Sequence, residues 1–203
     1  LVIFDADGVL IPHTQKFSVT LSEDYGISIE KTLPFFSGPF QDCLVGSKDL
    51  REAIAPHLKE WGWEKGVDAL LECCFQLEHK IDNDIMMYIA DLRKKGVKCF
   101  VVTNNEKYRF QYMLEKMGFK DAFDKTYASG CVGSRKPDQK FFASIYSELD
   151  GIQKEEILFF DDAAENVQGA KDFVINAKLY TTFEDFIEKI KKLEKELSEK
   201  ESN

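Results

Sequence analysis

Runs of apolar and β-branched residues at 1–4, 97–103, 126–128, 157–160 and 177–181 constrain this chain more than any other feature. Each is strand-sized and apolar enough to be buried on both faces. The segments between them carry helical periodicity instead. Ile85, Ile89 and Leu92 precede Gly96, and Phe110, Leu114 and Met117 precede Gly118, each glycine being a suitable C-terminal stop. Phe141, Phe142, Ile145 and Leu149 continue the pattern. Strands that alternate with helices predict an α/β fold, a Rossmann-like parallel sheet with helices on both faces.

One connection breaks the rhythm. Roughly ninety residues separate the first run from the second, whereas a βαβ crossover needs only about a dozen or more. Residues 13–82 read as an inserted α-helical cap, with a helix at 48–61 behind a Ser47 cap and another at 64–78. Trp61, Trp63 and the Pro34-Phe35-Phe36 run are expected to pack that insertion, and some of them to face a ligand. The expected division is a catalytic core of 1–12 and 83–203 and a cap of 13–82. The lysine- and glutamate-rich tail places Phe186, Ile190, Leu193 and Leu197 at helical spacing.

Charge narrows the partners. With 27 basic against 36 acidic residues and a formal charge of −9, no footprint for nucleic acid is expected. No apolar run is long enough to span a membrane, and secretion is not expected from the N-terminal residues. The chain opens inside a strand, so a few native residues are expected to precede it. Cys43, Cys73, Cys74, Cys99 and Cys131 form no CxxC pair or zinc spacing and read as reduced, mostly packed thiols of a cytoplasmic protein.

The chemistry gathers at strand ends. Ile3-Phe4-Asp5-Ala6-Asp7-Gly8 runs a strand into two aspartates on one side and a glycine that permits a sharp turn. Alone, such a stretch also reads as an Asp-rich turn. As a calcium loop it fails, because Val9 and Lys16 fall where oxygen ligands belong. Far along the chain, Leu158-Phe159-Phe160 leads into Asp161-Asp162 in the same manner. If the first and fourth strands are neighbours, Asp5, Asp161 and Asp162 converge at the edge where open α/β sheets bind ligands. Like charges about 4 Å apart repel by about 4 kcal/mol at an effective dielectric near 20, so a magnesium-like cation is expected among them. The alternative is that some of these acids are protonated or point outward. Thr103-Asn104-Asn105 and Arg135-Lys136-Pro137 add a hydroxyl, amides and an ammonium suited to phosphoryl oxygens.

In this order, Asp5-x-Asp7-Gly8-Val9, Thr103-Asn104, Lys136-Pro137 and Asp161-Asp162-x-x-x-Asn166 resemble the four motifs of the haloacid dehalogenase superfamily, and the insertion resembles its helical C1 cap. The stretches 133–138 and 159–170 look like the branch of bacterial α-D-glucose-1-phosphate phosphatases, and like the phosphatase domain of soluble epoxide hydrolases. The resemblance implies a phosphohydrolase in which Asp5 attacks phosphorus and Asp7 is the acid and base. It implies that Thr103, the Asn104 backbone and Asn105 bind phosphate, and that Lys136 neutralises charge. It also implies that Asp5, Asp161, Asp162 and the Asp7 carbonyl oxygen hold Mg2+. Asp7 is then expected to have a raised pKa under a closed cap.

The implied substrate is a small phosphorylated metabolite, with sugar phosphates first and nucleoside monophosphates second. A haloacid dehalogenase needs neither Asp7 nor the Asp161-Asp162 pair. A phosphomutase would keep every motif, and a silent phosphometabolite-binding protein would be expected to lose one of them. His57 and His79 are expected to serve packing or surface roles in cap helices, whereas His13 and Gln15 sit where the chain enters the insertion and are candidate substrate contacts. No coiled-coil seam forces a dimer, so the oligomeric state is open.

Overall fold

The computed structural model describes residues 1–13 and 17–201, apart from the side chains of residues 197, 198, 200 and 201. β1 (Val2–Phe4), β2 (Cys99–Thr103), β3 (Lys125–Ala128), β4 (Leu158–Asp161) and β5 (Asn176–Leu179) form one sheet in the order β3-β2-β1-β4-β5. Every neighbouring pair is parallel. The five strands fall on the five apolar runs of the sequence.

Period-two alternation feeds a core on each face. Val2, Phe4, Cys99, Val101 and Phe160 pack on one side with Ile85, Ile89, Met113 and Phe186. Those partners come from helices Asn83–Lys94, Lys107–Glu115 and Phe183–Glu201. Ile3, Phe100, Val102 and Phe159 pack on the other side with Phe141, Phe142 and Val167, from helices Gln139–Tyr146 and Ala164–Asp172. One expected face is rotated. Helix Lys107–Glu115 buries Arg109 and Met113, while Phe110 and Leu114 are only half-buried. Carbonyl acceptors on the neighbouring helix draw Arg109 inward, as described below.

Between β1 and β2, six short α-helices among the described residues build a layer with its own core, centred on Phe35, Trp61, Trp63, Leu70 and Leu71. Both indoles are satisfied there, Trp61 Nε1 donating to Lys31 O at 3.0 Å and Trp63 Nε1 to Gly66 O at 2.9 Å. The expected single helix at 48–61 is broken into Leu50–Ile54, a 3-10 turn Ala55–His57 and Leu58–Trp61. Pro56 lacks the N–H that would carry the first helix onward. The cap is Asp49, whose carboxylate accepts from the Arg51 and Glu52 N–H groups. Ser47 instead donates its hydroxyl to Asp42 O at 2.9 Å. The predicted helix at 64–78 is present as Gly66–Leu77.

Entry to and exit from this layer run side by side, because Asp82 N donates to Leu10 O at 2.9 Å. Among the described residues, no helix is long and apolar enough to cross a membrane. Of the five free cysteines, Cys43 and Cys99 are buried, Cys73 and Cys74 are half-buried and Cys131 is exposed.

Phe186 anchors the C-terminal helix, its fully buried ring meeting Phe4, Phe160, Tyr88, Tyr180 and Phe183. Phe186→Ala should destabilise the fold by about 3–5 kcal/mol in urea unfolding. A cost below about 1 kcal/mol would mean that this helix is not integral to the first core.

Candidate active site

Pairing of Phe4 with Phe160 sets β1 beside β4 and brings Asp5 and Asp161 to the same sheet edge. The strand order turns here, with β2 and β3 on one side and β4 and β5 on the other. Lys136 lies between the acids. Its Nζ is 2.7 Å from Asp5 Oδ1, donates to Asp161 Oδ2 at 2.7 Å and donates to Val102 O at 3.1 Å. Three acceptors therefore meet three ammonium donors. The remaining Asp161 oxygen accepts from Ala163 N at 2.9 Å and Asn166 Nδ2 at 3.0 Å.

These side chains are out of water: Lys136 and Asp161 show 0% exposure and Asp5 shows 9%. Burial pushes the Asp5 carboxyl well above the usual range, Lys136 opposes that, and the Asp161 and Asp7 carboxylates add to it. For Lys136, burial favours the neutral amine, but Asp5 and Asp161 outweigh it and hold the ammonium above its ordinary pKa. Backbone position is set by Asn104, which accepts from Lys136 N and donates to Lys136 O, both at 2.9 Å. Thus the Asn104 amide holds the loop that carries Lys136.

Asp7 lies two residues further on and borders a cavity. Asn105 Nδ2 donates to Asp7 Oδ2 at 2.5 Å and to the buried Thr103 Oγ1 at 2.8 Å. The chain can turn there because Gly8 has φ +83°, and a Cβ on it would stand 2.4 Å from Asp162 Oδ2. Only glycine fits that approach.

Among the described residues, one group of acids suits a metal ion: Asp5, Asp161 and Asp162, with one oxygen from each lying within 4.8 Å of the others. The fit to magnesium is good, because the donors are all hard oxygens and three formal negative charges face a single lysine ammonium. The Asp7 carboxylate is outside this group, held instead by Asn105.

The histidines divide. His13 is exposed, with Nε2 2.8 Å from Asp162 Oδ2, and it borders the cavity. His57 stacks on Trp61 and His79 Nδ1 pairs with Tyr112 OH at 2.9 Å. Helix Gly66–Leu77 ends before His79, which lies in the exit segment and not in a cap helix. Gln15 lies outside the described residues.

The cavity has a volume of about 560 Å³ and lies between the sheet edge and the helical layer. Asp7, Gly8, His13, Asn104 and Asn105 form its floor, and Phe17, Phe36, Phe40, Leu50, Leu71 and Phe75 are among its walls. Three charged residues in the wall carry no motif in the sequence, Glu78, Glu106 and Arg109, of which the last two are 2% and 3% exposed. Glu106 caps helix Lys107–Glu115, accepting from Tyr108 N at 2.7 Å and Arg109 N at 2.5 Å. Arg109 donates to Phe75 O at 3.2 Å and Glu78 O at 3.3 Å. Its buried Nε makes no hydrogen bond but lies 3.4 Å from Glu78 Oε2. An acidic residue three positions before an arginine at a strand's end was the available signal. It looks the same when exposed.

Removing the ammonium should leave buried carboxylates unpaired. Lys136→Met is expected to cost about 3–5 kcal/mol of stability in chelator, measured by denaturant unfolding. A loss under about 1 kcal/mol would show that the acids do not depend on Lys136.

A family model for haloacid dehalogenase-like hydrolases matches residues 1–173. Phosphatase MT3486 of Mycobacterium tuberculosis is 26% identical over 182 residues, covering 84% of this chain and 82% of the relative. Sesquiterpene phosphatase astK of Aspergillus oryzae is 32% identical over 157 residues, covering 68% and 79%. A predicted HAD-like family hydrolase from Porphyromonas gingivalis superposes with a TM-score of 0.79 at 24% identity, covering 95% of this chain and 96% of that one. A HAD family enzyme from Bacteroides thetaiotaomicron, solved with magnesium and inorganic phosphate, gives 0.74 at 20% identity, covering 88% and 92%. With its fold, the four motifs meeting at one sheet edge and these relatives, the chain belongs to the haloacid dehalogenase-like hydrolase family and is a hydrolase of its phosphatase type.

Proposed function

We propose that this enzyme is a magnesium-dependent hydrolase of small phosphate monoesters that works through an aspartyl-phosphate on Asp5. Residues 1–12 and 83–203 act as the catalytic core and 13–82 as the cap. The observation that carries the reading is the Lys136 ammonium fixed between Asp5 and Asp161, with Asp7 two residues away bordering the cavity.

In the first step an Asp5 oxygen forms a bond to phosphorus as the bond to the ester oxygen breaks, and Asp7 gives that oxygen its proton. In the second, Asp7 takes a proton from water, the water oxygen bonds to phosphorus, and Asp5 is released as the carboxylate. Asn105 holds the Asp7 carboxylate from the side of Thr103. Thr103, the Asn104 backbone and Asn105 are positioned to bind phosphoryl oxygens, and Lys136 offsets charge on Asp5 and on the phosphoryl group. Asp5, Asp161 and Asp162, with the Asp7 carbonyl, would hold Mg2+, which supplies further charge neutralisation when bound.

A dehalogenase is disfavoured by Asp7 and by the Asp161-Asp162 pair, and a silent binding protein by the completeness of the set. A phosphomutase would use the same groups, and the cap gives no reason to prefer it. The sequence resemblance points to a sugar phosphate, but the walls offer few unengaged polar groups to sugar hydroxyls. The relative named a sesquiterpene phosphatase supports an apolar substrate as compatible with this family.

Asp5→Asn is expected to abolish phosphate release from p-nitrophenyl phosphate with magnesium while the protein stays folded by circular dichroism. Asp7→Asn should lower kcat about 10²–10⁴-fold. Magnesium should also raise the melting temperature of the wild type, and Asp162→Asn should weaken that shift. Undiminished turnover in Asp5→Asn would sink the mechanism.

A further inference from the structure

The cavity is built asymmetrically. Its floor carries Asp7, His13 and the Asn104 and Asn105 amides, and its remaining walls come mostly from the cap: Phe17, Phe36, Phe40, Leu50, Leu71 and Phe75. At about 560 Å³ it lies within the range of small-molecule sites. Even its rim is apolar, since Leu33 lines it while remaining 55% exposed.

Polar groups do occur in the upper wall, but most already have partners. The Ser37 hydroxyl donates to Leu33 O at 2.7 Å. Glu106 is occupied by the two N–H groups of the helix it caps. Arg109 is held by Phe75 O, Glu78 O and the Glu78 carboxylate. Burial pushes the Cys74 thiol well above its ordinary pKa, so it stays neutral. Apart from Ser18 and the spare lone pairs of the carboxylates, a sugar entering here would give up water at its hydroxyls for few matching partners, which is unfavourable. A second anionic group would meet Glu78 and Glu106, while Arg109 is already matched. Apolar carbon has no such penalty and gains from burial.

We infer that the leaving group is apolar: the substrate is the monophosphate of a long aliphatic or alkenyl alcohol, its phosphate at Asp5 and its carbon skeleton among Phe17, Phe36, Phe40, Leu50, Leu71 and Phe75. The inference rests on the phosphatase reading for its reaction, though the shape and chemistry of the wall stand apart from it. Phe36 and Phe40, stacked edge to face at 5.4 Å, form an aromatic wall that reads chain length through contact area.

The test is a series of ethyl, butyl, octyl and dodecyl phosphate with magnesium, beside glucose 6-phosphate and p-nitrophenyl phosphate. The expected result is that kcat/KM rises about fourfold per added methylene until the cavity is filled, equivalent to about 0.8 kcal/mol per buried CH₂. Glucose 6-phosphate should be no better than ethyl phosphate. Phe36→Ser and, at the exposed rim, Leu33→Ser should each reduce the octyl-to-ethyl ratio, Phe36→Ser by about tenfold. A flat series, or a sugar phosphate hydrolysed faster than octyl phosphate, overturns the inference while leaving the phosphatase intact.

Silence on every ester would instead strike the phosphatase reading. In that event calorimetry of ethyl- and octylphosphonate with the wild-type protein and magnesium still decides the wall. Tighter binding of the octyl compound, with a negative heat-capacity change, supports it, and equal affinity overturns it.

Discussion

A single ammonium group fixes the geometry on which the chemistry depends. Lys136 has no exposed surface, yet two carboxylates and a carbonyl meet its three protons. Leaving such a cation unpaired in the interior would be strongly destabilising, so Asp5 and Asp161 are held as much by its needs as by their own. Asn104 fixes its backbone from the end of β2, and Asn166 fixes Asp161 from helix Ala164–Asp172. Strands β1, β2 and β4 are therefore tied together at their carboxyl ends by polar contacts, above two apolar cores that set their spacing.

The layer above divides the work differently. Its helices have an aromatic core of their own and meet the sheet domain through polar contacts, including Tyr108 OH to Asp49 Oδ2 at 2.7 Å and Arg135 Nη1 to Gln41 Oε1 at 2.7 Å. Arg109 adds a third tie, to the carbonyls at the end of helix Gly66–Leu77. The first two contacts exchange for water more readily than the core inside each part does, whereas the buried Arg109 tie is costlier to break. Acids and amides thus sit on the rigid sheet edge, and the surface that meets the rest of a substrate sits on a part free to vary its side chains.

Much of this was legible in the sequence, for identifiable reasons. Strands buried on both faces leave continuous apolar runs, and a carboxylate directly after such a run has few places to go other than the sheet edge. Asp5, Asp7, Asp161 and Asp162 all lie just after such runs, and strand adjacency in the fold brings Asp5, Asp161 and Asp162 together. The inward turn of Arg109 was not legible, because a buried arginine and an exposed one look alike until their acceptors are placed. Nor does the apolar spacing across 48–61 mark the break that Pro56 makes in the expected helix. Asp49 displaced Ser47 as the cap by two positions, a difference that local composition does not resolve.

The most direct measurement is to look for the covalent intermediate itself. Wild-type protein with magnesium and phosphorus-labelled p-nitrophenyl phosphate would be quenched in acid within a turnover, digested, and the labelled peptide sequenced. The account predicts a hydroxylamine-sensitive label on the peptide containing Asp5, absent from Asp5→Asn. Phosphate released in a burst with no label on that peptide at any quench time would contradict it.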